Sequence, residues 1–209
     1  MIIKWNHPIM IVSPRNAGKT NMARFLILKE GLLGSQADII LVFSNGAAYT
    51  QYEFLLGPKS PHRVFPQLEP DVIDQVFKIN EGRIQSGKIP VKVLMVFDDS
   101  LSKTERYSKQ VNRCFQFGRI NHIVPLVLQQ SISQVDTTWR SNTDYFITFK
   151  PRTLRDKTYV WENLMCEVAK TKKEAFEIME KMRPYQALVV DYTSGETKCG
   201  FFTAPLVKT

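Results

Sequence analysis

Residues 13–20 have the residue types and spacing of a phosphate-binding loop. They read SPRNAGKT and directly follow an apolar run at residues 8–12. The usual pattern is G-x-x-x-x-G-K-[ST], in which backbone N–H groups surround an anion and the lysine reaches the outer phosphates. The last three positions match, and a serine replaces the first glycine. The residues predicted to contact a nucleotide are Ser13, Asn16, Ala17, Gly18, Lys19, Thr20 and Asn21.

The alternative is a chance G-K-T sequence on a basic surface loop, and the sequence around the loop argues against it. After the loop, residues 19–31 carry Met22, Phe25 and Leu26 at helical spacing and end at a glycine. A strand, a glycine loop and a helix in succession are the context that a phosphate loop requires. Lys19 is therefore expected to contact the β- and γ-phosphates of ATP, and Thr20 to hold Mg²⁺ through its hydroxyl.

Two adjacent acids, Asp98 and Asp99, end a second apolar run that reads VLMVFDD. Two carboxylates at the end of a buried strand are costly unless a cation or hydrogen-bond donors meet them. Asp98 is therefore predicted to hold Mg²⁺, directly or through water, and Asp99 to act as general base on the attacking water. The alternative for Asp99 is a cap on the helix that follows Ser100.

Gln130 comes at the end of a third apolar run, HIVPLVLQQ. Because strand side chains alternate between faces, Gln130 rather than Gln129 is predicted to face the γ-phosphate or the attacking water. A solvent-exposed amide is the alternative. Positive charge for a neighbouring subunit's site can come from several arginines, each of which can equally be an ordinary surface residue. These arginines are Arg113, Arg119, Arg140, Arg152 and Arg155.

The alternation of apolar strands with helices predicts an α/β fold, with a mostly parallel sheet flanked by helices on both faces. Besides the three apolar runs that lead into the motifs, the second of which spans residues 91–97, strands are predicted at residues 38–43 and 144–150. Residues 186–190 and 198–203 predict a C-terminal β-hairpin. Residues 57–70 contain four prolines and predict an irregular surface segment. The length of 209 residues suits a single domain, residues 1–209.

Composition limits the class of protein and its partners. A formal charge of +8 favours a polyanionic partner, with nucleic acid ahead of an anionic membrane surface. Three widely spaced cysteines without a C-x-x-C pair favour neither a zinc site nor a disulfide framework, and fit a reducing compartment. No apolar run reaches the length of about 18 residues that a membrane helix needs, so a soluble, non-secreted protein is expected.

With these three sites in this order, the chain resembles the viral genome-packaging ATPases of the FtsK/HerA superfamily. This type occurs in poxvirus-like large DNA viruses, virophages and membrane-containing icosahedral viruses. The resemblance covers roughly residues 9–150 and is carried by SPRNAGKT, VLMVFDDS and GRINHIVPLVLQQS, followed by the R-x-N of residues 140–142. It implies a RecA-like P-loop NTPase core of the ASCE type, with ATP and Mg²⁺ as cofactors.

The resemblance also implies an activity and partners. The activity is translocation of double-stranded DNA into a preformed capsid, by a homo-oligomeric ring of five or six subunits at a capsid or portal-like vertex. Such a protein works in a virion, which can contain a membrane, or in the infected-cell cytoplasm at a virus factory. By motif position, Asp98, Asp99 and Gln130 take the metal, base and sensor roles, and Arg119 becomes the arginine that acts in trans, with Arg140 in reserve.

Two other functions stay open from the sequence. A small-molecule or nucleoside kinase shares the phosphate loop and the size, although its chemistry does not call for a glutamine at a strand end followed by an R-x-N segment. A basic DNA-binding virion protein with a non-functional nucleotide site is the other. Phosphate release stimulated by DNA, phosphate transfer to a nucleoside, and absence of turnover would distinguish the three.

Overall fold

The computed structural model describes residues 3–98, 108–131, 135–194 and 196–206. The helices are α1 Lys19–Leu28, α2 Leu33–Gln36, α3 Pro70–Gln85, α4 Lys109–Phe117, α5 Thr137–Ser141, α6 Leu154–Val160 and α7 Lys172–Glu180. A 3-10 segment, Gly46–Leu55, lies between α2 and α3, and a π-helical stretch, Trp161–Met165, continues α6. None of the described helices is both long and apolar enough to cross a membrane.

The strands are β1 Ile9–Val12, β2 Ile39–Ser44, β3 Arg63–Phe65, β4 Val93–Asp98, β5 Ile123–Gln129, β6 Tyr145–Phe149, β7 Gln186–Asp191 and β8 Lys198–Thr203. They form one sheet in the order β3-β2-β4-β5-β1-β6-β7-β8. Pairing is parallel from β3 through β6 and antiparallel for β6–β7 and β7–β8. The predicted fold class, a mostly parallel sheet with a C-terminal hairpin, is confirmed.

Helices cover both faces of the sheet, as a largely parallel sheet requires. On one face, α1, α2 and the 3-10 segment pack onto the strands, with Met22 and Tyr52 among the buried residues. On the other face, α3 to α7 pack through residues that include Phe77 and Trp139. The apolar residues of β4 alternate between these two layers, which fixes the face that its last residue, Asp98, must occupy.

Three short elements differ from the sequence-based expectation. Residues 57–70, predicted to be irregular, contain strand β3 at the sheet edge, while α2 and the 3-10 segment were not predicted at all. With three and four residues, β3 and α2 are too short to show a hydrophobic period. The 3-10 segment has ten residues, but it turns every three residues and does not follow the 3.6-residue period of an α-helix. The sequence around residues 104–117 also predicts a polar helix; its part up to residue 107 lies outside the described residues, and α4 begins at Lys109.

Candidate nucleotide-binding site

The phosphate loop leaves β1 at Ser13 and enters α1 at Lys19. The Ser13 N–H donates to the Gln129 carbonyl at 3.0 Å, which ties the loop to the neighbouring strand β5. Gly18 has a φ of +108°, and a Cβ there would lie 3.2 Å from the Phe149 ring, so both backbone angle and space require glycine. Ser13 is not among the non-glycine residues with positive φ. The first position of the loop therefore has no need of glycine, which explains the departure from the usual pattern.

The side chain of Lys19 lies across this loop. Its Nζ donates to the carbonyls of Ser13 at 2.8 Å and Pro14 at 3.0 Å, and the residue is buried. The first intrahelical bond of α1 runs from the Met22 N–H to the Gly18 carbonyl. The N–H groups before it have no carbonyl within the helix and point towards the loop, as at other anion-binding helix N-termini. An ammonium group and a helix N-terminus thus converge on one small region.

Thr20 and Asp98 join the phosphate loop to the end of β4. The Thr20 hydroxyl donates to Asp98 Oδ2 at 3.2 Å, although the two residues are 78 positions apart. Asp98 is only 1% exposed. It shares the α1 face with Leu94 and Val96 because it follows them at intervals of two along the strand. The structure therefore brings the phosphate loop and the acid at the end of β4 together.

Gln130 lies directly beyond β5, the strand between β1 and β4 in the sheet. Its Oε1 accepts a hydrogen bond from Arg15 Nε of the phosphate loop at 3.1 Å. The backbone carbonyl of Arg15 in turn accepts a hydrogen bond from Arg152 Nη2 at 3.2 Å. The structure thus brings Gln130 to the phosphate loop, while its sensor role stays a prediction. Gln129 is buried.

A cavity of about 470 Å³ lies on the other side of the loop from Asp98, beside Asn16 and Ala17. Its walls include the aromatic rings of Phe149 and Tyr185 and four basic residues, with one acid among them. That acid is Glu180, whose carboxylate contacts lysines 157 and 150; these contacts lower the pKa of Glu180. The basic residues are Lys150, Arg152, Lys157 and Arg183.

Arg119 lies in the turn before β5, at the amino-terminal end of this strand, whereas the phosphate loop adjoins the carboxyl end of β5. Its Nη2 donates to Asp144 Oδ2 at 2.5 Å, and its Nε to the Asn6 carbonyl at 3.3 Å. His7 Nδ1 lies 2.8 Å from the same carboxylate oxygen. The side chain of Arg119 is still 58% exposed. It is therefore held in one direction on the surface, at the start of β5 and not at the end that adjoins the phosphate loop.

The other predicted arginines lie in several environments. Arg113 is paired with Asp74 and Glu81 on α3 and lies over the Phe77 ring, which makes it part of the packing between α3 and α4. Arg140 Nη1 donates to Asn163 Oδ1 at 2.7 Å. The guanidinium of Arg155 lies over the ring of Tyr159, which is on the same helix.

Three residues near the site are not among those that the sequence motifs indicate. Tyr52 donates its hydroxyl to Asp98, Arg15 contacts Gln130, and Tyr185 forms a wall of the cavity beside the loop. These contacts join distant parts of the chain, and no residue spacing in the sequence indicates them. Among the predicted nucleotide contacts, the Asn21 side chain instead donates to the Pro205 carbonyl at 3.1 Å. Asp99 lies outside the described residues.

Thr20 and Asp98, which are hydrogen-bonded to each other, have side chains that are chemically suited to bind a magnesium ion. A carboxylate and a hydroxyl are oxygen ligands of the kind that Mg²⁺ prefers, and Mg²⁺ usually takes its remaining ligands from water and substrate phosphates. Within the described ranges, no group of three or more His, Cys, Asp or Glu residues could hold a metal by itself. Thr20 and Asp98 would therefore hold Mg²⁺ together with the phosphates, and the ion would supply positive charge to the phosphate oxygens.

Comparison of the whole fold with known proteins gives a consistent result. No protein-family model matches the sequence, and no curated protein matches it. Among solved structures, the genome-packaging NTPase B204 from Sulfolobus turreted icosahedral virus 2, in complex with ATP-gammaS, has a TM-score of 0.67 at 12% identity, over 98% of this chain and 100% of that chain. B204 from Sulfolobus turreted icosahedral virus, a DNA-packaging ATPase, has a TM-score of 0.63 at 14% identity, over 94% and 98%.

A bacterial protein shares the same fold. EssC from Geobacillus thermodenitrificans, in a structure of its ATPases 2 and 3, has a TM-score of 0.67 at 12% identity, over 95% of this chain and 40% of that chain. The fold that the sequence resemblance implied is thereby confirmed. The chain has the fold of the viral genome-packaging NTPases and of the EssC ATPase domains, an α/β P-loop fold with a mostly parallel eight-stranded sheet.

Proposed function

We propose that this protein is an ATP-hydrolysing motor that moves double-stranded DNA into a preformed viral capsid. The observation that carries the proposal is the hydrogen bond from the Thr20 hydroxyl to buried Asp98. This bond unites the phosphate loop with the acid that the chemistry requires at a metal site. Gln130, from the strand between them, adds a polar group close to the loop, where a γ-phosphate and its attacking water would lie.

The cavity beside the loop supports a nucleotide rather than a lone phosphate as the ligand. Two aromatic rings, those of Phe149 and Tyr185, can contact a base, and the surrounding lysines and arginines suit the ribose and α-phosphate region. Binding of ATP should therefore be clearly tighter than binding of inorganic triphosphate. Equal dissociation constants for the two ligands would show that the base makes no use of this cavity.

Net charge supports DNA as the second ligand. A surplus of eight positive charges favours contact with phosphates without reading of base sequence, which suits a protein that moves along DNA. The two B204 proteins, which share this fold, are a genome-packaging NTPase and a DNA-packaging ATPase, and both functions agree with DNA as the partner. Residues 100–109 contain three basic side chains that could contact DNA, and two of them, Lys103 and Arg106, lie outside the described residues. Lys109, a third, is the exposed first residue of α4.

The experiment that tests the proposal is phosphate release from ATP by the purified chain, with and without linear double-stranded DNA of increasing length. We expect long DNA to stimulate hydrolysis and the stimulation to fall steeply between about 50 mM and about 200 mM salt, because phosphate contacts release counterions. Transfer of the phosphate to an added nucleoside would instead identify a kinase. Tight DNA binding without any turnover would identify a binding protein with a non-functional nucleotide site.

We further propose that Arg119 completes the nucleotide site of the next subunit in a ring. β5 has seven residues, and at about 3.3 Å per residue its two ends lie about 20 Å apart. Arg119 precedes one end and the phosphate loop adjoins the other, so the side chain cannot reach its own subunit's phosphates. Its fixed direction, set by Asp144 and the Asn6 carbonyl, suits contact with a neighbouring subunit.

Arg119→Ala is expected to lower the maximal rate of ATP hydrolysis by about 1,000-fold, the lower end of the range for an arginine supplied in trans. The specific activity of the wild type should rise with protein concentration, because the complete site needs two subunits. Arg63→Ala, which removes an exposed arginine on the edge strand β3, is the matched control. Its rate and concentration dependence should equal those of the wild type.

A mixing experiment tests the trans arrangement directly. Arg119→Ala subunits keep an intact phosphate loop, and Lys19→Ala subunits keep an intact Arg119. Mixed in equal amounts, the two inactive variants should recover a measurable fraction of wild-type hydrolysis, because some interfaces combine the two intact parts. Failure to recover activity, in mixtures shown by light scattering to form joint assemblies, would rule out Arg119 as the trans residue.

A further inference from the structure

Tyr52 is a buried residue of the 3-10 segment whose hydroxyl reaches the candidate metal site. The residue is 0% exposed, and its hydroxyl donates to Asp98 Oδ2 at 2.9 Å. The Thr20 hydroxyl donates to the same oxygen at 3.2 Å. One carboxylate oxygen therefore accepts hydrogen bonds from two separate elements, α1 and the 3-10 segment.

The topology of the sheet explains how Tyr52 reaches this position. β2 and β4 are parallel neighbours in which Ser44 is paired with Asp98, so both strands end at the same level. The 3-10 segment begins two residues after β2 and passes over this edge on the α1 face of the sheet. The Tyr52 ring is packed in that layer near Phe54, with ring centroids 6.5 Å apart.

The free-energy cost of burying a hydroxyl indicates that the Tyr52 hydroxyl acts on Asp98 and is not only part of the packing. A buried hydroxyl costs free energy unless it forms a hydrogen bond, and phenylalanine would fill the same space in an apolar layer without that cost. A buried carboxylate needs donors even more, and hydrogen bonds to an ionised oxygen are stronger than those between neutral groups. The hydrogen bond from Tyr52 to Asp98 gives the hydroxyl an acceptor and the carboxylate a donor, at the acid on which the candidate metal site depends.

We propose that Tyr52 is a positioning residue for Mg²⁺: its hydroxyl orients the Asp98 carboxylate for the metal and for the Thr20 hydroxyl. This inference rests on the proposed function, since it assumes that Asp98 serves a metal–nucleotide complex. Residues that orient metal ligands through hydrogen bonds typically change metal affinity or activity by about 10-fold to 100-fold when they are replaced. The 3-10 segment is thereby part of the nucleotide site, although it carries no recognisable motif.

The test is Tyr52→Phe, which removes the hydroxyl and keeps the ring. The Mg²⁺ concentration that gives half-maximal binding of a fluorescent ATP analogue should rise about 10-fold. The affinity for the same analogue in excess EDTA should stay within about twofold, because the phosphate loop is unchanged. Tyr49→Phe, which removes a hydroxyl from a half-buried tyrosine of the same 3-10 segment, is the matched control and should leave both values unchanged.

A double-mutant cycle keeps the inference falsifiable if Tyr52→Phe changes the general stability of the fold. In an Asp98→Asn background, Tyr52→Phe should have no further effect on Mg²⁺-dependent binding, because the carboxylate that it orients is gone. An unchanged Mg²⁺ requirement in the single variant would overturn the inference, and so would an equal loss of affinity with Mg²⁺ and with EDTA. Absence of ATP hydrolysis in the wild type would instead contradict the proposed function.

Discussion

Replacing Lys19 by alanine is expected to lower ATP turnover by about 100-fold or more, the usual loss when one group that stabilises transition-state charge is removed. In the structure the ammonium group is buried against the loop carbonyls of Ser13 and Pro14, where the outer phosphates of ATP would lie. Steady-state phosphate release at saturating DNA measures the effect.

DNA affinity gives the second half of this prediction. Under the proposed function, DNA contact would be spread over many basic residues, so Lys19→Ala should keep the dissociation constant for long double-stranded DNA within about threefold. Lys29→Ala is the matched control, since it removes the same charge from the exposed end of α1, about 15 Å from Lys19. It should change neither turnover nor DNA binding. Equal turnover in the wild type and Lys19→Ala would show that any measured ATPase activity belongs to another protein.

The sequence predicts those parts of the site that depend on local pattern. A strand period of two places Asp98 on the α1 face of the sheet, and the same period selects Gln130 over Gln129. The strand, loop and helix that surround Lys19 are likewise read from apolar runs and one glycine. The structure brings these residues together because the parallel strands end on the same side of the sheet, so a polar residue that follows an apolar run lies near the phosphate loop.

The remaining parts of the site depend on which segment passes over the ends of the strands. The local pattern of apolar and polar residues does not indicate the path of such a segment. Tyr52 reaches Asp98 only because its segment bends back over the sheet after β2. Tyr185 meets the phosphate loop from the turn before β7, with a positive φ of 61° that its residue type does not predict. Arg119 meets Asp144 because the sheet order brings the starts of β5 and β6 to either side of β1.

Under the proposed function, the sheet order would allow one subunit to contribute residues to two nucleotide sites. β5 lies between β1 and β4, so its carboxyl end brings Gln130 to the subunit's own phosphate loop. Its other end carries Arg119, which faces away from that site. Under the proposed function, movement of this one strand relative to β1 would affect both Gln130 and Arg119. A link of this kind between neighbouring sites is what sequential hydrolysis around a ring requires.

Asp98→Asn is the second substitution with a large expected effect. The amide oxygen of asparagine can still accept hydrogen bonds from the Thr20 and Tyr52 hydroxyls, so the fold should be kept while the negative charge is lost. We expect ATP hydrolysis to fall by about 100-fold, since the group that would hold Mg²⁺ with Thr20 is then neutral. ATP affinity measured in excess EDTA should be the same as in the wild type or slightly higher, because one negative charge near the phosphates is gone.

Asp38→Asn is the matched control for this prediction. Asp38 is an exposed acid that directly precedes β2, at the end of this strand opposite to Ser44. Its Oδ2 accepts a hydrogen bond from the Lys92 N–H at 2.8 Å, and an asparagine oxygen can keep this bond. The control should hydrolyse ATP at the wild-type rate with the wild-type Mg²⁺ requirement. If Asp98→Asn also kept that rate and that requirement, the buried carboxylate would have no part in the chemistry, and the hydrogen bond between Thr20 and Asp98 would be a feature of packing alone.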